Sequence, residues 1–205
     1  MTIKPGYNLL SLPFNDLTND QVDVKTLLSG TPTNLDQIQY WDGTKLQIVT
    51  YRTAKGGWCR GLTLLADGAV MLSPGQGFWY YSKAADDNTL TVSGRVETSA
   101  TGQSVTVGAG YTLVGPVVPK TFALSDISFK VGDTEGAPNL SQVQYWDGTQ
   151  LQILTYRTAK GGWCKGLTLL TEETMKTFVP AEGFWFYNRT ADNVTITFPL
   201  TMAAE

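Results

Sequence analysis

Apolar and polar residues alternate through Gln37-Ile38-Gln39-Tyr40 and again through Leu46-Gln47-Ile48. A period of two sends successive side chains to opposite faces of an extended chain, so both runs read as β-strands. Asp42-Gly43 between them is a hairpin turn signal. A two-residue loop would set Ile38 against Gln47 and mix polar with apolar on each face. A three-residue loop, Asp42-Gly43-Thr44, sets Ile38 opposite Ile48, Tyr40 opposite Leu46 and Gln39 opposite Gln47, which separates an apolar face from a polar one. That register, with a bulge at the turn, is the expectation. It gives the second face Gln37, Gln39, Trp41, Lys45, Gln47, Val49 and Tyr51.

The same pattern occurs twice. Asn34–Leu65 returns at Asn139–Leu170, with 27 of 32 positions identical and a spacing of 105 residues. The changes are Asp36/Ser141, Ile38/Val143, Lys45/Gln150, Val49/Leu154 and Arg60/Lys165. The second copy repeats the expected pairs as Val143/Ile153, Tyr145/Leu151 and Gln144/Gln152, and its second face carries Gln142, Gln144, Trp146, Gln150, Gln152, Leu154 and Tyr156. A repeat of this length marks a module written twice.

Shorter phrases extend the correspondence. Gly6-Tyr7-Asn8-Leu9 matches Gly110-Tyr111-Thr112-Leu113, each a short strand that ends near a proline. Pro74-Gly75-Gln76-Gly77 turns into Phe78-Trp79-Tyr80-Tyr81, and Pro180-Ala181-Glu182-Gly183 into Phe184-Trp185-Phe186-Tyr187. Alternation puts Phe78 and Tyr80 opposite to Trp79 and Tyr81. Asp16–Leu28 reads as a short helix capped by Thr18 or Asn19, and its counterpart Thr121–Val131 fits helix or strand. Ser93–Val107 reads as two strands around Ala100-Thr101-Gly102 and joins the modules by strand pairing. The fold class expected is mostly β: two tandem homologous small β-sandwich or open-barrel modules, 1–104 and 105–205, with at most one short helix each.

Composition narrows the function. The chain is 42% apolar, 11% aromatic and 16% charged, with a net charge of −3 and a pI near 5.0. No basic patch invites nucleic acid, and no apolar run approaches a membrane span. The first six residues lack the apolar stretch of a signal peptide. With no histidine, Ser-His-Asp and Cys-His catalysis and His-bearing zinc sites are excluded. Cys59 and Cys164 occupy equivalent places and read as two small buried thiols; a bridge would require the halves to pack about a pseudo-twofold axis near them. Asp42, Asp147 and Asp86–Asn88 sit in turns, where Asp serves local hydrogen bonding, and no loop has EF-hand spacing. No enzyme activity, cofactor or metal is expected.

The amide-and-ring face, Gln37, Gln39, Trp41, Gln47 and Tyr51 with Gln142, Gln144, Trp146, Gln152 and Tyr156, admits three readings. It is a solvated face, a protein-docking face, or a sugar-binding face on which rings stack and amides bond hydroxyls.

Gly6-Tyr7-Asn8-Leu9-Leu10-Ser11-Leu12-Pro13, Tyr40-Trp41-Asp42-Gly43 and Pro74-Gly75-Gln76-Gly77-Phe78-Trp79 resemble β-rich repeats of bacterial surface and secreted proteins, which open on "GWNL" and close on "PGxGYW". Tyr7 and Tyr111 stand where those repeats have Trp, and Ala181-Glu182 where they have Gly-Gln. The resemblance implies an extracellular, non-catalytic module. Laid end to end, the chain's tail and head approximate its internal junction, with Thr2-Ile3 standing where Thr106-Val107 stands. The leading expectation is therefore an extracellular structural protein that associates head to tail through strand edges into a fibre or surface assembly. Carbohydrate binding through the Trp/Gln face is the alternative.

Overall fold

The computed structural model describes residues 2–14, 21–27, 32–89, 94–95 and 102–199. The fold is mostly β. Among the described residues, each half builds one antiparallel six-stranded sheet in the same spatial order. In the first half the order is Gly6–Ser11, Gly77–Ser82, Gln37–Trp41, Leu46–Arg52, Gly57–Arg60, Thr63–Leu64. In the second it is Gly110–Val114, Phe184–Asn188, Gln142–Trp146, Leu151–Arg157, Gly162–Lys165, Thr168–Leu169.

One face of each sheet is the core face. In the first half Ile38, Val49, Phe78 and Tyr80 are almost fully buried and pack with Ile3, Val22, Val24 and Leu72 from outside the sheet. In the second, Val143, Leu154, Phe184 and Phe186 meet Phe129, Ile196 and Phe198 from a separate four-stranded sheet. Burying each such side chain stabilises by roughly 1.5–3 kcal/mol. Phe78 and Tyr80 do point opposite to Trp79 and Tyr81, which are only half-buried.

The hairpin register differs from the expected one. Trp41 pairs with Leu46, Tyr40 with Gln47, Gln39 with Ile48 and Ile38 with Val49, so the loop has four residues, Asp42 to Lys45. The second copy repeats this register. Asp42 is the reason. Its Oδ1 accepts from the Thr44 amide at 2.9 Å, the Thr44 hydroxyl at 2.7 Å and the Lys45 amide at 2.9 Å, while its own amide donates to the Lys45 carbonyl at 3.1 Å. This side-chain-to-backbone turn takes one more residue than the apolar pattern suggested. Both faces of Leu46–Arg52 carry apolar residues, so the turn decides which set is buried. Val49 and Tyr51 go in, and Leu46 and Ile48 come out.

The helix expected over Asp16–Leu28 is reduced to one turn, Val24–Leu27, after a two-residue strand, Val22–Asp23. Thr18, Asn19 and Leu28 lie outside the described residues. The counterpart segment is strand Phe122–Ala123, a 3-10 turn Leu124–Asp126 and strand Ser128–Val131. Ala100 and Thr101 also lie outside the described residues, and Gln103–Val107 pairs with Val194–Phe198 inside the second half.

Candidate functional site: an aromatic groove between the halves

The halves meet through a reciprocal contact. The Ser11 amide donates to the Ala181 carbonyl at 2.8 Å, and its equivalent, the Gly115 amide, donates to the Gly75 carbonyl at 3.0 Å. Leu10 bridges to Glu182, and Val114 to Gln76. Each half thus uses its first sheet strand and the turn before Phe78 or Phe184. Close approach requires small residues here: a Cβ on Gly115 would lie 2.3 Å from Ser11 Cβ, and one on Gly183 2.5 Å from the Leu10 carbonyl oxygen.

This contact carries the hairpin tip of each half toward the outer sheet face of the other. Trp41 and Gly43 from the first half, with Tyr111, Thr112, Gln144 and Trp185 from the second, line a groove of 730 Å³. Gln144 lies directly opposite Trp185 on the neighbouring strand. Its Nε2 donates to Gln142 Oε1 at 2.8 Å, and its Oε1 has no partner among the described residues. Tyr111 meets Trp185 edge-on with centroids 6.3 Å apart and overlaps Tyr187 at 4.5 Å. Trp41 is 38% exposed and Tyr111 52%. The Trp41 backbone carbonyl accepts from Gln76 Nε2 at 3.2 Å, which tethers the tip.

The pseudosymmetric position is arranged differently. A groove of 520 Å³ there is lined by Pro5, Tyr7, Asn8, Trp146 and Gly148, the counterparts of Ala109, Tyr111, Thr112, Trp41 and Gly43. Gln39 and Trp79, the counterparts of Gln144 and Trp185, are not among its lining residues. Trp146 lies edge-on against Trp79, centroids 5.8 Å apart. Its indole Nε1 is buried without a hydrogen-bond partner.

Of the residues singled out from the sequence, Gln37, Gln39, Trp41, Gln142, Gln144 and Trp146 do share the outer faces. Gln39 and Gln144 are buried there, at 9% and 6% exposure. Gln47, Tyr51, Gln152 and Tyr156 do not belong to that face, because the four-residue loop shifts the register by one. Tyr51 and Tyr156 pack on the cores against Trp58 and Trp163. Gln47 and Gln152 donate to the turn carboxylates, at 2.5 Å to Asp42 and 2.7 Å to Asp147. Tyr111 and Trp185 escaped the sequence reading. The alternation of Trp185 with buried Phe184 and Phe186 was visible, but nothing in the chain said that the two halves would share a groove.

Asp42 and Asp147 are exposed and stay ionised well below the usual carboxylate range. For Asp42 the Gln47 amide contributes most, then the Lys45 backbone; for Asp147 the Gln150 backbone leads. These carboxylates are turn staples, and such weak bases are poor proton acceptors. Arg52 Nε bonds the Gly61 carbonyl at 3.0 Å, so it fixes a neighbouring turn. Cys59 and Cys164 are free and buried. Among the described residues no group of three or more His, Cys, Asp or Glu is placed to hold a metal ion, and no helix is long and apolar enough to cross a membrane. No protein-family model matches the chain, and no curated protein or solved structure is significantly similar to it.

Proposed function

We propose that this chain is a non-enzymatic carbohydrate-binding protein that acts outside the cell and takes a glycan in the groove between its halves. One observation carries the reading: Trp41, Tyr111 and Trp185 converge with the amide of Gln144 around 730 Å³ of accessible space. Ring faces suit the apolar faces of pyranose sugars, and an amide carbonyl with a spare lone pair suits a hydroxyl. The volume is within the usual range for small-molecule sites. The test is a glycan array with the wild type, Trp41→Ala and Trp185→Ala. Binding to a defined glycan class that drops at least tenfold in both variants supports the reading; an array with no hits rejects it.

A second reading, self-association, is favoured by a different observation. Leu46, Ile48, Leu62 and Leu64 are 44%, 45%, 74% and 46% exposed, and Leu151, Ile153, Leu167 and Leu169 are 39%, 46%, 71% and 44% exposed. The same aliphatic surface is therefore offered twice, beside the short rim strands Thr63–Leu64 and Thr168–Leu169. The junction likeness that suggested head-to-tail pairing has a local explanation, since Thr2–Ile3 pairs with Asn88–Thr89 and Thr106-Val107 with Val194-Thr195, each within its own half. The reciprocal contact between halves closes on itself, so assembly beyond one chain would draw on the aliphatic rims. Light scattering on the wild type and on Ile48→Lys plus Ile153→Lys decides: concentration-dependent assembly lost in the double variant supports it, and a monomer at all concentrations rejects it.

A further inference from the structure

We propose that the molecule carries a second glycan site, built from Tyr7, Gln39, Trp79 and Trp146, which a glycan enters by displacing the Trp146 indole from Trp79. The proposal rests on the carbohydrate reading and concerns a different set of residues. Three observations lead to it. Every group of the open groove has its counterpart at the pseudosymmetric position: Trp41 in Trp146, Tyr111 in Tyr7, Trp185 in Trp79, Gln144 in Gln39. A difference among the described residues is the indole of Trp146, which lies edge-on against Trp79 with centroids 5.8 Å apart, and neither Trp79 nor Gln39 lines the groove there. That resting place is a poor one for a polar group, because the Trp146 N–H is buried and makes no hydrogen bond. A buried unsatisfied donor is destabilising, and a ligand hydroxyl that accepts from it removes the cost.

The residue that distinguishes the two tips is also identifiable. In the first half the Gln76 amide holds the Trp41 carbonyl at 3.2 Å. Its counterpart is Glu182, whose carboxylate can only accept. Glu182 accepts from the Val179 amide at 3.1 Å just as Gln76 accepts from the Ser73 amide at 3.1 Å, but its other oxygen meets the Lys176 ammonium at 2.7 Å where Gln76 donates to the tip, so among the described residues the Trp146 carbonyl has no such tether and the indole rests on Trp79. The two sites should therefore bind the same chemical class with unequal affinity, the Trp146 site weaker because opening it separates two packed rings.

Indole N–H signals in ¹⁵N-labelled protein test this, titrated separately with cellohexaose, chitohexaose and maltohexaose. The expected result is that one of these shifts the Trp41 and Trp185 signals first and the Trp146 and Trp79 signals at roughly tenfold higher concentration. Glu182→Gln should narrow that gap, and Trp41→Ala should leave the second phase alone. If the Trp41 and Trp185 signals respond while Trp146 and Trp79 stay fixed in both wild type and Glu182→Gln, the second site is overturned and the first stands. If no indole responds to any of the three, nor to a glycan that the array identifies, both readings fail together.

Discussion

The two halves share a nearly identical central block and yet solve one burial problem in opposite ways. In the first, Asp36 is 1% exposed and accepts from the Tyr80 hydroxyl at 2.5 Å, the Lys83 amide at 2.6 Å and the Thr33 amide at 2.8 Å. Burial first, then the Asp36 carboxylate, pushes the Tyr80 hydroxyl far above its ordinary ionisation range, so it remains a donor. In the second half the same two places hold Ser141 and Phe186, both fully buried. The hydroxyl of Ser141 needs less than a carboxylate, and Phe186 offers no donor to waste. A buried acid and its partner have been exchanged as a unit, as the cost of an unpaired buried group requires. The lesson extends to the tips: Trp41 and Trp146 occupy nearly identical sequence contexts, yet Gln76, far away in the chain, donates to the Trp41 carbonyl where its counterpart Glu182 pairs with Lys176.

Removing the two buried acceptors in turn should separate the halves by the widest margin. Asp36→Ala orphans three donors and should cost about 3 kcal/mol or more in urea denaturation, whereas Ser141→Ala should cost about 1 kcal/mol or less. Tyr80→Phe alone should be destabilising, and adding Asp36→Ser, which recreates the second half's pair, should recover part of the loss. Equal costs for Asp36→Ala and Ser141→Ala would contradict the assignment.

The turns at the contact between halves give a smaller contrast. Ala181 has φ of 67°, in the left-handed region where its equivalent is Gly75 at 76°. Ala181→Gly relieves backbone strain and should change stability by no more than about 1 kcal/mol, since glycine's added freedom in the unfolded chain offsets part of the gain. Gly75→Ala should cost about 1–3 kcal/mol, because the new Cβ would lie 2.6 Å from the side chains of Val105 and Val117. Thermal denaturation of both variants reads the difference.

The smallest expected effect is at acid pH, where the halves should behave alike. Carboxyls depressed in the folded state contribute stability that is fully present above their unfolded value of about 4 and is lost as pH falls toward the folded value. Asp42 and Asp147 are such groups. The protection of the Thr44, Lys45, Thr149 and Gln150 amides, taken relative to their intrinsic exchange rates, should therefore fall below about pH 4, and Asp42→Asn should abolish the acid dependence at the first tip only.

Much of this was legible in the chain. Period-two alternation and the Asp-Gly turns marked the strands, and the repeat marked the equivalence of the two sheets. The in-and-out order of Phe78, Trp79, Tyr80 and Tyr81 followed from alternation alone. The hairpin register was not legible from the apolar pattern, since Leu46 and Ile48 are as greasy as Val49. The three bonds that Asp42 Oδ1 accepts within the turn set the loop length, and Gln47 and Tyr51 left the candidate face with it. The groove was legible only in part. Trp41 and Gln144 were both candidates, each assigned to its own half, and only the reciprocal contact through Ser11 and Gly115 puts them side by side.

The most direct test of the central claim is a crystal structure of the chain with the tightest-binding array glycan at saturating concentration. A pyranose ring stacked on Trp41 or Trp185, with a hydroxyl within hydrogen-bond distance of Gln144 Oε1, is the predicted result. A glycan seated on the Leu46–Ile48 surface, or anywhere else with the groove between the halves left empty, would contradict it.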